Sequence, residues 1–239
     1  MINSNLVQHC SCGNTENFIE STINDINVLT CDSCGVIHQK LKDFNNEKYF
    51  NFYKDEYHNQ YQKHKGVITY QDRYEHDVKV ANLRLAQYQD YIKAGMRGLD
   101  IGSSNSAFIH ASIAQGIFCT GLEPGADIGD DAFTIRGTLD TVDFEERKFD
   151  FITMHDSIEH IVDINFALQK VYSLLEDNGV LILDLPDYFV PEGKHHWKYI
   201  EHLWFFSRDQ LDAILTTNGF TVNQISSPIS GKLVFYCRK

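Results

Sequence analysis

At 239 residues, with 43% hydrophobic and 23% charged residues, the chain has room for one α/β domain and a small appendage. A formal net charge of −12 argues against a nucleic-acid or anionic-membrane partner, because the densest basic segment, Tyr61 to Lys65, is short and mixed. No apolar run reaches the roughly 20 residues that span a bilayer, and the first residues lack the charge and apolar pattern of a secretion signal. A cytoplasmic protein is expected, and its six cysteines then read as ligands or core residues rather than disulfides.

Four of the cysteines come first in chain order, as Cys10-Ser11-Cys12-Gly13 and Cys31-Asp32-Ser33-Cys34-Gly35. A glycine after each pair lets the turn aim sulfurs and backbone amides at one point. The polar stretch between the pairs cannot form its own core, so residues 1–42 read as a zinc ribbon with Cys10, Cys12, Cys31 and Cys34 around a structural Zn²⁺. The first knuckle has C-x-C spacing, and His9 offers an alternative ligand there. Residues 43–96 read as a helical linker or cover. Tyr49, Tyr53, Tyr57 and Tyr61 recur every four residues, giving one aromatic stripe on a helix, and a longer helix follows from Tyr70 to Ile92.

From residue 97 the chain alternates. Strands are expected at 97–101, 117–122, 149–154, 180–185, 219–225 and 232–237. Helices are expected at 105–115, 163–175 and 207–217, the last capped by Ser207, with a shorter one near 128–133. This order predicts a mostly parallel Rossmann-like sheet over 97–239, ending in an antiparallel hairpin about a Pro228/Gly231 turn. Cys119 and Cys237 fall in strand patterns and read as buried small hydrophobes.

Ligands of such sheets bind beyond the carboxyl ends of the strands. The first strand runs into Asp100-Ile101-Gly102-Ser103-Ser104, and the second closes on Glu123-Pro124. An acid about 20 residues past a glycine-containing turn is placed to accept ribose hydroxyls. The turn lacks G-x-G-x-x-G, since Ser104 and Ser106 stand where glycines are expected, and this disfavours a pyrophosphate cofactor such as NAD or FAD.

These segments resemble motifs I and II of the class I S-adenosylmethionine (SAM)-dependent methyltransferases. The resemblance implies SAM as cofactor, held by Asp100, Gly102, Ser103, Ser104, Glu123 and Pro124. It further implies an adenine-side element at Thr138 and Leu139, and a strand end at His155 and Asp156 facing the methionine part. Glu159 and His160 follow, each read alone as a solvated helix start. The segment Tyr199-Ile200-Glu201-His202, leading into Phe206-Ser207, is similar to that of nucleotide-sugar C-methyltransferases, which also carry an amino-terminal cysteine zinc module. By that resemblance Tyr199, Glu201 and His202 line the acceptor site and His202 is the general base, with His155 or His160 assisting; His195 and His196 read as loop residues. The chain departs from that family in its first knuckle spacing and in ending without the family's additional carboxy-terminal domain.

The expected activity is methyl transfer to a small molecule, a sugar or nucleotide-sugar above others, with no nucleic-acid or membrane partner. The rival readings are an O-methyltransferase of a quinone or other aromatic, and a non-catalytic scaffold whose ribbon recruits a partner. The sequence leaves the oligomeric state open.

Overall fold

The computed structural model describes residues 5–42, 44–52, 70–125, 132–227 and 231–239. Tyr53, Tyr57, Tyr61, Pro228 and most of the short helix expected near 128–133 lie outside these residues, whereas Phe133 is in a turn. The described chain divides into two compact units: residues 51–155 with 173–182 and Lys239, and residues 1–50 with 156–172 and 183–238. Each is taken by itself.

The unit built on residues 51–155 holds α2 (Tyr70–Gln87), β4 (Arg97–Ile101), α3 (Ala107–Ala114), β5 (Phe118–Glu123), β6 (Thr134–Arg136) and β7 (Phe149–His155). Strand β8 (Leu175–Pro186) is shared by the two units. Four of the five β4 residues are buried, the burial expected of a central strand covered on both faces. Parallel pairing joins β4 to β5, β4 to β7 and β5 to β6. The sheet order β8-β7-β4-β5-β6 reverses direction of winding between β4 and β7, which makes the carboxyl end of β4 the switch point where open α/β sheets take their ligands. Gly121 permits the close packing there: a Cβ would stand 2.5 Å from both Ile109 Cδ1 and Ser103 Oγ.

The other unit begins with β1 (Phe18–Ile23), β2 (Ile26–Cys31), β3 (Ile37–Gln39) and α1 (Asn46–Asn51). It continues with a 3-10 turn at Ile158–His160, α4 (Ile164–Leu174), whose last two residues fall in the first unit, a second 3-10 turn at Pro191–His196, and β9 (Trp204–Phe205). The unit closes with α5 (Arg208–Thr217), β10 (Thr221–Ser226) and β11 (Lys232–Arg238). Ser207 caps α5, as the sequence predicts, and the structure adds a full capping box with Gln210. β10 and β11 form the expected antiparallel hairpin, which extends the large sheet to seven strands in the order β10-β11-β8-β7-β4-β5-β6.

The cysteine-bearing strands have a role the sequence did not show. β3 pairs antiparallel with β9, so β1-β2-β3-β9 is one sheet that incorporates the segment following His202. Gln39 reinforces the join: its side-chain amide donates to the carbonyls of Lys198 and His202, and its Oε1 accepts from Ile200 N at 3.0 Å. Ile26, Val28, Ile37, Tyr188 and Phe205 form the core beneath this sheet, with Trp197 stacked on Phe205 at 4.1 Å. Residues expected to form a separate ribbon therefore share a hydrogen-bonded sheet and a core with residues 188–205.

Candidate functional site

Register places Asp100 beside Thr153 on one side and Gly121 on the other. Its side chain is buried, at 2% exposure, and Oδ1 accepts from Thr153 Oγ1 at 2.7 Å and from His155 Nδ1 at 3.1 Å. The His155 ring lies parallel to Tyr88 and against Phe108, 4.6 Å away. The chain then turns at Gly102 with φ +77°, and Ser104 and Ser106 follow at +50° and +62°. Both serines occupy the left-handed region that glycine favours, so the turn keeps its shape without the extra glycines.

Glu123 ends β5 with its carboxylate inside this turn: Oε2 accepts from Ser104 N at 2.9 Å and Oε1 from Gly125 N at 2.8 Å. Burial pushes its carboxyl above the usual range, although both N–H bonds favour the charged form. Each carboxylate oxygen still has a second lone pair for a hydroxyl donor. Ser103 Oγ is buried and has no hydrogen-bond partner among the described residues, and a Cβ on Gly125 would stand 2.8 Å from Glu123 Oε1. An orphaned hydroxyl, a crowded cradle and an acceptor at one turn fit a nucleoside bearing vicinal hydroxyls. Pro124 leads out of this turn. Leu139 is buried, and Thr138 donates to Asp140 in the turn after β6.

In the other unit, Asp156 pairs with Lys232, whose ammonium also lies 3.6 Å from Asp184. Burial works against the Lys232 charge, but the two carboxylates hold its pKa above the ordinary value. Asp156 thus has an ion-pair partner where the sequence suggested a cofactor contact.

The reading of Glu159 and His160 as a solvated helix start is corrected. Glu159 is 0% exposed in the 3-10 turn, and neither carboxylate oxygen has a hydrogen-bond partner among the described residues. Burial, with the Asp156 charge adding to it, pushes its carboxyl up to about 8. His160 Nδ1 donates to the Glu201 carbonyl at 2.7 Å, and its Nε2 stands 3.9 Å from Glu159 Oε1. Tyr49, from the predicted aromatic stripe, bonds the carbonyls of both His160 and Glu201.

His202 is 2% exposed, with its ring edge-on to His160 at 4.8 Å. Burial, and then the neighbouring His160 and Lys198, hold its pKa well below the usual histidine value, so the ring is neutral near pH 7. The phenol that fixes it belongs to Tyr188, whose hydroxyl lies 2.8 Å from Nδ1, and not to Tyr199, which is 63% exposed. Tyr199 is three residues away in sequence, but Ile200 takes φ +65° and breaks any helical register between them. The Glu201 carboxylate pairs with Lys198 and lies 3.8 Å from His202 Nε2. His196, read as a loop residue, stacks parallel to the His202 ring at 6.2 Å.

The four amino-terminal cysteines converge as predicted, their sulfurs all within 4.8 Å of one another. Cys10 and Cys34 approach to 3.4 Å and Cys12 and Cys31 to 3.6 Å, close to the ~3.8 Å edge of a tetrahedral ZnS₄ unit. Burial opposes the Cys31 thiolate, but the Asn14 amide and the backbone N–H groups of Cys34 and Ser33 overcome it and bring its pKa to about 6. Donor set and spacing fit zinc. His9 is exposed and stands outside the cluster. Cys119 and Cys237 are buried thiols, as expected, and burial pushes Cys237 up to about 12.

No curated protein matches the chain in sequence. Solved structures share its fold. A candidate O-methyltransferase from Nostoc punctiforme is 18% identical with a TM-score of 0.57, over 68% of this chain and 56% of that one. A SAM-dependent methyltransferase from Thermotoga maritima, described as a possible histamine N-methyltransferase, is 22% identical with a TM-score of 0.56, over 81% and 99%. The [4+2]-cyclase SpnF is 13% identical with a TM-score of 0.57, over 68% and 80%, so this fold also serves reactions other than methyl transfer. A family profile described as a methyltransferase domain matches residues 70–225, from α2 through most of β10. By that match the chain belongs to the methyltransferase domain family, and SAM-dependent methyltransferase activity is supported.

Proposed function

We propose that the chain binds SAM at the β4 and β5 turns and methylates an oxygen or an acidic carbon of a small molecule. The observation that carries the reading is the Glu123 turn, with its orphaned Ser103 hydroxyl, inside the segment matched by the methyltransferase profile. Glu123 accepts the ribose hydroxyls, Ser103 donates into the same pocket, and Asp100 is held beside the turn by Thr153 and His155. Thr138 and Leu139 serve the adenine side. The cofactor supplies a methyl group on a sulfonium, with a neutral thioether as leaving group.

The chain's own contribution to acceptor chemistry lies at His202. A neutral, buried imidazole held by Tyr188 can take the proton that the acceptor releases, and Glu201 and His160 keep its surroundings polar. A sugar or nucleotide-sugar acceptor is favoured by the Y-x-E-H resemblance and by the acidity of the chain, and a cytoplasmic location by its unbridged cysteines. Zinc on Cys10, Cys12, Cys31 and Cys34 is structural in this reading, fastening the sheet that carries β9.

The test is methyl transfer from labelled SAM across panels of sugars, nucleotide-sugars and phenols. Turnover with a sugar is the expected result. SAM binding without turnover on any panel would favour the scaffold reading, and turnover on phenols alone would move the acceptor class.

A further inference from the structure

Glu159 poses a problem that methyl transfer alone does not solve. A carboxyl group with both oxygens buried and unpartnered is costly, and native proteins tolerate it where something else binds those oxygens. Two imidazoles stand beside it, and the charges of Asp156, Asp184 and Lys232 also act on it. The carbonyl of Glu201 can only accept, so His160 carries its proton on Nδ1, and its Nε2 lies 3.9 Å from Glu159 Oε1. Tyr188 holds His202 at Nδ1, so ligation falls to Nε2, which has the Glu201 carboxylate 3.8 Å away. One oxygen of Glu159 and one nitrogen from each histidine lie within 4.8 Å of one another. Each imidazole is thus anchored through its second nitrogen by a carbonyl or a hydroxyl, the arrangement that orients metal-bound histidines.

We propose that Glu159, His160 and His202 form a second metal site, distinct from the cysteine cluster, that holds a divalent first-row transition ion. Bonds of about 2.1 Å separate the ligand atoms of such an ion by roughly 3–4 Å, so small side-chain rotations close the site. The donor set is two imidazoles and one carboxylate, which suits Mn²⁺, Fe²⁺, Co²⁺ or Zn²⁺ over Ca²⁺ or Mg²⁺. Three protein ligands leave about three positions of an octahedral ion for other oxygens. This part rests on the proposed methyl transfer: the acceptor class is then a molecule presenting two adjacent oxygens, which chelates the ion and has its hydroxyl acidified by it. With the ion bound His202 is a ligand rather than the base: the ion lowers the pKa of the coordinated hydroxyl, and that proton passes to solvent water before the methyl group is transferred.

The experiment uses the full, zinc-replete chain, titrated with Mn²⁺ and separately with Co²⁺. Loss of the free-ion Mn²⁺ resonance and the visible bands of bound Co²⁺ report occupancy. One added ion per chain is expected for at least one of these metals. Glu159→Gln and His160→Gln, checked for folding by circular dichroism, should each weaken it by about 100-fold. No added ion with either metal, or an affinity unchanged in both variants, would overturn the proposal. SAM affinity and methyl transfer are measured on the same samples with and without the ion. An added ion with no methyl transfer to any acceptor leaves the site standing and removes the enzymatic reading. Full transfer after the ion is stripped removes its catalytic use.

Discussion

The two units handle buried carboxylates differently. Around β4 and β5, Asp100 has a hydroxyl and an imidazole, and Glu123 has two backbone N–H groups. Around the 3-10 turn, Glu159 has no hydrogen bond to either oxygen among the described residues. The first arrangement is complete in itself, and the proposed cofactor would add hydroxyl donors to acceptors already occupied. The second is incomplete and asks for a charge. In the proposed function the cofactor residues come from strand ends and turns, and the acceptor residues from side chains gathered from distant segments.

The largest effect should come from the cysteine cluster, because it supports only one side of that comparison. Stripping zinc, or replacing Cys31 and Cys34 with serine, should release β1-β2-β3 and with them the Gln39 bonds to Lys198 and His202. Methyl transfer should fall by about 10³-fold or more, as expected when a catalytic constellation is lost, while SAM affinity stays within a few-fold. Equal loss of both would erase the distinction between the units; calorimetry with SAM and a single-turnover assay read the two quantities.

His202→Ala comes next, with turnover reduced about 10²–10⁴-fold at unchanged SAM affinity. Tyr188→Phe should cost less, and Tyr199→Phe least, since Tyr199 is exposed. Because burial holds the His202 pKa well below the usual value, turnover should be level near neutrality and fall only in acid. The same sign governs stability. His38 and His196 are depressed to about 4 by burial, and His202 is held well below its usual value, so each binds fewer protons folded than unfolded. Their contribution to stability is present above the unfolded value near 6.5 and is lost as pH falls through the folded values. Glu159 acts oppositely in the metal-free chain, losing stability as pH rises from its unfolded value near 4.5 through about 8. Thermal melts from pH 4 to 9, with Glu159→Gln alongside, separate the two limbs.

At the cofactor end Glu123→Gln should weaken SAM about 10–100-fold, the worth of hydrogen bonds to a charged group. Ser104→Gly should be the mildest change. Relief of a left-handed serine and the added freedom of glycine nearly cancel, so stability should move by no more than about 1 kcal/mol and SAM affinity should hold.

Legibility in the sequence follows the same divide. The positions of Asp100, Gly102 and Glu123 at strand ends and a turn were readable because these elements are local in sequence, and sheet register does the rest. The Ser207 cap of α5 and the convergence of four thiols were equally local. The acceptor end was not. Tyr188 reaches His202 across a loop that the pattern could not fold, although its place just past Leu185-Pro186-Asp187 was the available signal. Glu159 sits in a three-residue 3-10 turn too short for a periodicity to reveal its buried face. Gln39, in a strand of three residues, bonds residues about 160 positions away, which spacing does not encode.

The central claim is that the turn after β4 holds SAM through Glu123. A crystal of the full chain soaked with S-adenosylhomocysteine tests it most directly. The account predicts ligand density at Gly102–Ser104 with both ribose hydroxyls donating to the Glu123 carboxylate and a hydrogen bond from Ser103 Oγ. No density there at saturating ligand, or ribose held by other residues with Glu123 still bonded only to Ser104 and Gly125, would contradict it.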